Sequence, residues 1–313
     1  MKSASEHQSL LTRSPIARAL AVIGDRWTMV VLREMFSGAT RFGELAAATG
    51  ASRATLTKRL RAMVDNGLLY QSPYQTRPPR FEYRLTVKGS ALYDTALAAW
   101  AWESRWTQAA RRNLPMRLTH RSCGHRFTPV AVCGRCGTAI SIRDIRFRAG
   151  VVSETQQEYL NDGSLRRSST FSVAAGTGSG MFLHFIDVVA DHWTPLVLAA
   201  TFMGLRRYDE LRRELGVATN ILAHRLKLLV EAGVLQPQPG RAGARRLEYR
   251  LTDKGRELIV PTLAIHLWSM EWMPADSEPS MKLLHSCSAR PLKMRMECNR
   301  CHGALRAQDV AAE

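Results

Sequence analysis

The chain has 313 residues, about twice the length of a common single domain. Its 44 Lys and Arg against 27 Asp and Glu leave a formal net charge of +17, which favours a polyanionic partner, nucleic acid first and an anionic membrane surface second. Apolar residues at 45% exclude wholesale disorder, and the low aromatic content of 7% argues against binding through stacked single-stranded bases.

The N-terminus has no apolar segment typical of a secretory signal. The most apolar window, at 196–205, is far shorter than the ~20 residues of a membrane-spanning helix. We therefore expect a cytoplasmic protein that does not bind membranes. Six cysteines in such a chain argue against a disulfide framework and for metal or redox chemistry.

Local patterns in the first third predict a compact helical unit that ends in a β-hairpin. Apolar spacing over 16–36 predicts two helices, with Asp25 as N-cap of the second, and a short helix follows over 41–50. A turn capped by Ser52 starts a third helix that ends near Asn66. Strands at 68–71 and 81–86 flank a Pro-rich loop over 72–80, and a long helix over 88–106 closes the unit. This order is typical of a winged helix-turn-helix.

The same unit occurs a second time, 166 residues later. The run EYRLTVKG at 82–89 recurs as EYRLTDKG at 248–255, and the His/Cys pattern recurs at an offset of 165. The predicted fold class is therefore mainly α with small β-hairpins (α+β), with two winged helix-turn-helix domains that are each followed by a zinc-ribbon-like lobe. The predicted boundaries are 11–108 and 182–274 for the domains, 115–148 and 280–313 for the lobes, and 149–181 for the linker.

Several runs of the first copy match one family pattern: PIARAL at 15–20, IGDRW at 23–27, RFGEL at 41–45, LTKRL at 56–60, NGL at 66–68 and RPPRFEYRLT at 77–86. With these runs, the chain resembles the HxlR-type winged-helix transcriptional regulators over 14–106, and more loosely over 182–272. The resemblance implies DNA binding, control of transcription and self-association through terminal helices. Ser14 and Gly180 stand where many members have a cysteine, so thiol sensing at that position is not expected.

Polar and basic side chains on the outward face of the third helix are the predicted DNA contacts, because an α-helix fits the major groove of duplex DNA. In the first copy these are Ser52, Arg53, Thr55, Thr57, Lys58 and Arg61, with Arg77 and Arg80 in the wing. In the second copy they are Thr219, Asn220, His224 and Lys227, with Arg241, Arg245 and Arg246 in the wing. Arg59 and the equivalent Arg225 lie near the apolar edge of their helices, where they either clamp the fold or contact a phosphate.

The excess positive charge belongs to one copy. Residues 1–150 contain 24 Lys and Arg and 9 Asp and Glu, a net charge of +15, whereas residues 151–313 contain 20 and 18, a net charge of +2. Because each neutralised phosphate adds to affinity and to its salt dependence, we expect the first copy to supply most of the non-specific affinity.

Two groups of Cys and His have metal-ligand spacing. His120, Cys123, Cys133 and Cys136 resemble a zinc ribbon, with His125 as a rival fourth ligand, and we expect structural zinc there. The second group consists of His285, Cys287, Cys298 and Cys301 and is a weaker match, because its first pair is one residue closer and His302 replaces the Gly that follows the first group's Cys-x2-Cys. Reduced, metal-free cysteines and a redox switch are the alternatives.

The sequence thus predicts a sequence-specific DNA-binding transcriptional regulator that acts as an intramolecular pseudo-dimer on two unlike half-sites of double-stranded DNA. A redox- or metal-responsive regulator with the Cys/His groups as sensor is the alternative. A zinc or dithiol enzyme is less well supported, because the chain lacks a Gly-rich phosphate loop, a His-Glu-x-x-His motif and a Gly-x-Ser-x-Gly motif. No small-molecule ligand is evident.

Overall fold

A computed structural model describes residues 10–106, 117–149, 183–240, 247–274 and 281–312. Helices alternate with small antiparallel sheets, so the α+β class predicted from the sequence is confirmed. The predicted linker lies outside the described residues except for residue 149. Within the described part of the chain, no helix is long and apolar enough to cross a membrane.

Between residues 10 and 106, the first copy forms six helices and one hairpin: α1 (Pro15–Ile23), α2 (Arg26–Phe36), α3 (Phe42–Thr49), α4 (Arg53–Asp65), β1 (Leu69–Thr76), β2 (Pro79–Leu85), α5 (Val87–Ser90) and α6 (Tyr93–Trp106). The following Cys/His segment forms short strands: β3 (Leu118–His120), β4 (His125–Arg126), β5 (Pro129–Cys133) and β6 (Ile145–Ala149).

The second copy repeats this order: α7 (Leu183–Val189), α8 (Thr194–Phe202), α9 (Tyr208–Leu215), α10 (Thr219–Glu231), β7 (Leu235–Pro239), β8 (Leu247–Leu251), α11 (Asp253–Glu257) and α12 (Ile259–Trp272). Its Cys/His segment forms β9 (Met281–His285), β10 (Met294–Cys298) and β11 (Val310–Ala312).

Capping residues define the ends of the helices in and before the helix-turn-helix. The Asp25 carboxylate accepts a hydrogen bond from Thr28 N at 3.1 Å, and Ser52 Oγ accepts one from Thr55 N at 3.2 Å. Gly50 ends α3 in the left-handed conformation, with φ +66°. The predicted starts of α2 and α4 are therefore confirmed.

Two predictions for the first copy were wrong. The Pro-rich stretch over 72–80 is not a loop, because β1 and β2 extend almost to its tip and pair Thr76 with Pro79. A two-stranded ribbon leaves one edge of each strand unpaired, and such an edge tolerates prolines. The predicted helix over 88–106 is divided into α5 and α6, because α5 ends at Ser90 and α6 begins at Tyr93.

The chain divides into two compact units, and each takes residues from both copies. Unit 1 consists of residues 1–21, 133–166 and 191–293, and unit 2 of residues 22–132, 167–190 and 294–313. The second copy's α7 therefore lies in unit 2, where Phe185 N donates a hydrogen bond to Glu103 at 3.0 Å and His184 stacks on Trp102. In unit 1, Arg18 of α1 donates to Ser269 Oγ at 3.4 Å.

Each winged helix has its own apolar core beneath the third helix. In unit 2, α4 buries Leu56, Leu60 and Met63. In unit 1, α10 buries the three equivalent positions, all leucine. These positions follow helical spacing, so burying them leaves the opposite face of each helix in solvent.

Candidate nucleic-acid interface and metal centres

The outward face of α4 presents the side chains predicted to contact DNA. Thr55 is half-buried, and the other members are exposed: Ser52, Arg53, Thr57, Lys58 and Arg61. Arg53, Thr57, Lys58 and Arg61 line one shallow surface depression. The structure therefore brings these polar and cationic groups together on one side of a capped helix.

The basic groups on α4 are differently constrained. The Arg53 guanidinium lies 5.5 Å from the centre of the Phe42 ring, within the range of a cation–π contact. Among the described residues, neither Lys58 nor Arg61 forms a salt bridge. Their positive charge is therefore not held in an ion pair and is available to a polyanion, although Asp65 of the same helix lines the same depression.

The equivalent face of α10 is also exposed but has different chemistry. Thr219, Asn220, His224 and Lys227 are all exposed. Lys227 Nζ lies 3.8 Å from Glu231 Oε1, so the cation has an acidic neighbour one turn away. The face thus presents an amide, an imidazole and a partly neutralised ammonium where α4 presents three cations.

Arg59 and Arg225 are turned toward the fold. Each forms an ion pair with an acidic residue that precedes a helix of its own unit, Arg59 with Asp25 and Arg225 with Asp191. Of the two roles considered from the sequence, the structure therefore favours a clamp within the fold.

The hairpin of the first copy places two predicted arginines at its exposed end. Arg77 precedes Pro78 at the tip, and Arg80 lies near the start of β2. The predicted contacts Arg241, Arg245 and Arg246 lie outside the described residues.

An aromatic contact at this hairpin was not predicted from the sequence. The Arg41 guanidinium lies 4.5 Å from the centre of the Tyr74 ring, and Tyr74 is exposed. The signal that could have identified it is an aromatic residue in the otherwise polar, Pro-rich stretch that precedes the hairpin tip.

The Cys and His residues form two groups, but not the two groups predicted from spacing. One consists of His120, Cys123, Cys298 and Cys301, and the other of Cys133, Cys136, His285 and Cys287. Within each group the candidate ligand atoms all lie within 4.8 Å of one another. The predicted pairing within each sequence segment was therefore wrong, because each group combines one pair from each segment. His125, the rival ligand, is exposed and belongs to neither group.

Backbone turns support the two Cys-x2-Cys pairs in the same way. Gly137 N donates to Cys133 O at 2.9 Å with a φ of +73°, and His302 N donates to Cys298 O at 2.9 Å with a φ of +57°. His302 therefore adopts the left-handed conformation of the glycine that it replaces. The weaker sequence signal of the second pair does not correspond to a different turn.

Comparison with known proteins matches a family model to both copies and finds relatives that cover part of the chain. The family model "HxlR-like helix-turn-helix" matches residues 22–111 and 188–277. An uncharacterized HTH-type transcriptional regulator of Mycobacterium tuberculosis, Rv3095, is 38% identical over 130 residues, which cover 42% of this chain and 82% of that protein. Another from Synechocystis, sll1512, is 36% identical over 95 residues, which cover 30% of this chain and 70% of that protein. The crystal structure of PA1607 matches at 34% identity and a TM-score of 0.38, and covers 44% of this chain and 93% of that one.

Proposed function

The chain belongs to the HxlR-like helix-turn-helix family and is a DNA-binding transcriptional regulator, and we propose that it reads two unlike half-sites with its two copies. One chain then supplies both recognition helices, α4 and α10, as an intramolecular pseudo-dimer. The predicted domains 11–108 and 182–274 are the two DNA-reading parts. The chain acts on DNA in the cytoplasm and has no catalytic role.

The observation that carries this proposal is the different chemistry of two helix faces that are equivalent in sequence and both exposed. At equivalent positions, Lys58 of α4 corresponds to His224 of α10, and Arg61 corresponds to Lys227. Both faces are exposed, and both helices bury the same three-residue stripe. Because base-edge patterns in the major groove are read by side-chain donors and acceptors, different faces select different base sequences.

Each group has a role that follows from its chemistry. Arg53 and Arg61 on α4 are suited to bidentate contacts with guanine O6 and N7 or to phosphates. Asn220 on α10 is suited to the N6 and N7 positions of adenine. Arg77 and Arg80 extend from the hairpin to phosphates or the minor groove, and fix the register of the helix on the duplex.

Selection of bound sites from random DNA, followed by footprinting and a measurement of chains per site, tests this proposal. We expect two different half-sites bound by one chain. A perfect inverted repeat bound by two chains would contradict the pseudo-dimer, and equal affinity for all sequences would contradict specific reading.

Matched variants assign the half-sites to the helices. Replacing Arg53, Lys58 and Arg61 by alanine is expected to relax selection at one half-site only, and replacing Asn220, His224 and Lys227 is expected to relax selection at the other. If both triple variants weakened selection at the same half-site, the assignment of one helix to each half-site would be wrong.

For the Cys/His groups, we propose structural zinc in both. Three thiols and one imidazole suit tetrahedral Zn²⁺, and four protein ligands leave no open position for a catalytic water. A metal-responsive sensor is the other candidate. Metal content per chain tests the proposal, and DNA affinity after chelation at constant helix content separates a sensor, which loses affinity while folded, from a structural site.

A further inference from the structure

We infer that each zinc ion is shared by the two copies, with one ligand pair from the Cys/His segment after the first winged helix and one from the segment after the second. This inference rests on the proposed zinc occupancy and not on DNA reading. The two ions would then tie the chain together at positions that are far apart in sequence, instead of folding two independent lobes.

Several separations between ligand atoms are close to those of a tetrahedral zinc site. Zn–S bonds of about 2.3 Å and Zn–N bonds of about 2.0 Å place neighbouring ligand atoms about 3.5–3.8 Å apart. In the first site, His120 Nδ1 lies 3.5 Å from Cys123 Sγ and 3.2 Å from Cys301 Sγ.

The separations in the second site are similar and slightly longer. Cys133 Sγ lies 3.8 Å from Cys287 Sγ, and Cys136 Sγ lies 3.8 Å from His285 Nδ1. A disulfide requires about 2.05 Å between sulfurs, and all six cysteines are free. The His120–Cys301 distance in the first site and both distances in the second site join atoms from different sequence segments.

Strand pairing holds the two segments in register at each site. In unit 2, β3 pairs with β11, which places His120 opposite Val310. In unit 1, β6 pairs with β9, which places His285 opposite Ile145. His120 and His285 therefore lie in strands that are paired with the other segment, so strand pairing alone brings the two segments together at each site.

A close approach at the first site also depends on both segments. A Cβ added to Gly303 would lie 3.2 Å from His120 Cε1 and 3.3 Å from Cys301 Sγ. Both distances are tighter than ordinary contacts, and the imidazole of the first segment is one of the two neighbours. Gly303, which follows the Cys-x2-Cys turn of the second segment, therefore leaves the space that His120 of the first segment needs.

Shared sites change what the metal does for stability. Cys123 and Cys298 are 175 residues apart, and Cys136 and His285 are 149 residues apart. An ion that joins such distant segments closes a long loop and removes more conformational freedom from the unfolded chain than an ion within a 20-residue lobe. Metal binding is therefore coupled to assembly of both copies.

Two double variants of the full chain, each without two thiols, distinguish shared from local sites. Cys123→Ala with Cys301→Ala removes two ligands of one shared site, and Cys123→Ala with Cys136→Ala removes one ligand of each. After gel filtration with a mild chelator, we expect two zinc ions per wild-type chain, one in the first variant and none in the second. The reverse order, none in the first and one in the second, would overturn the inference and leave zinc binding intact.

Alkylation of the single variant Cys301→Ala gives a readout that does not depend on zinc stoichiometry. Shared sites predict that Cys123 and Cys298 become reactive while Cys133, Cys136 and Cys287 stay protected. Local sites predict that Cys287 and Cys298 become reactive and Cys123 stays protected, and this outcome would also overturn the inference. A metal-free, folded wild-type chain with six reactive thiols would overturn the zinc proposal itself, while half-site selection would still test DNA reading.

Discussion

Arg59 Nε lies 3.2 Å from Asp25 Oδ1, so the third helix of the first winged domain is joined to the N-cap of α2. The same Asp25 carboxylate accepts a hydrogen bond from Thr28 N, which makes one side chain both a helix cap and an ion-pair partner. The second copy repeats the relationship, with Arg225 Nε 3.4 Å from Asp191 Oδ1. The ion pair therefore ties α4 to the start of α2 through Arg59, which is not among the side chains predicted to contact DNA.

We expect Asp25→Ala to destabilise the protein by about 1–2 kcal/mol, because it removes an N-cap and leaves Arg59 without its partner. Arg59→Ala is expected to cost less, about 1 kcal/mol or below, because the pair is partly exposed to solvent. Chemical denaturation measures both. Arg59→Ala should leave the salt dependence of DNA binding unchanged, and a fall in the slope by about 1 would show that Arg59 contacts a phosphate instead.

Alanine substitution of the basic residues at equivalent positions of the two helix faces should have unequal effects on DNA binding. Arg61→Ala is expected to reduce the slope of log K against log salt by about 0.9, because a cation without a salt bridge is removed from the phosphate-facing side. Lys227→Ala at the equivalent position is expected to reduce it by less, because Lys227 pairs with Glu231 at 3.8 Å. Among the described residues, Arg61 forms no ion pair with Asp65, which stands at the position equivalent to Glu231. Equal reductions would contradict the idea that the first copy dominates electrostatic binding.

The elements that could be predicted from the sequence are those whose cause is local. Asp25, Ser52 and Gly50 mark helix ends because their side chains or conformations act on backbone groups within a few residues. The two groups of metal ligands could not be predicted, because each segment contains the same two pairs, a His with a nearby Cys and a Cys-x2-Cys pair. Spacing along the chain does not show that each pair meets a pair from the other segment. The placement of α7 beside Trp102 in unit 2 could not be predicted either, since an apolar helix face does not identify the element that it packs against.

The glycine after the EYRLT run is required by a close approach of backbone to backbone. A Cβ on Gly89 would lie 2.2 Å from Leu68 O, and that carbonyl is held by a hydrogen bond from Thr86 N at 3.0 Å. We therefore expect Gly89→Ala to destabilise the protein by about 1–3 kcal/mol in thermal or chemical denaturation. Gly255, 2.2 Å from Val234 O, should behave in the same way.

Gly43 provides the matched control, since it lies within α3 and a Cβ there would meet nothing within 4 Å. Gly43→Ala is expected to stabilise the protein by about 0.5–1 kcal/mol through the higher helix propensity of alanine. Loss of stability in this control equal to that of Gly89→Ala would show that glycine replacement as such, and not the contact with Leu68, is responsible.

Glu103 makes stability depend on pH, because burial raises the pKa of its carboxyl to about 7, although a hydrogen bond from Phe185 N opposes the shift. The folded pKa is above the unfolded value of 4.5, so folding disfavours the charged form, and stability is lost as pH rises from about 4.5 to about 7. Glu103→Gln should therefore be more stable than the wild type by about 1–3 kcal/mol at pH 8, with a difference that nearly vanishes at pH 4. Denaturation of both proteins across this range measures the effect.

Glu44→Gln is the control of opposite sign, because hydrogen bonds from Arg41 N and Thr40 N lower the pKa of that carboxyl. Its stability deficit should grow with pH, and a pH-independent gain for Glu103→Gln would show that packing, not ionisation, is the cause.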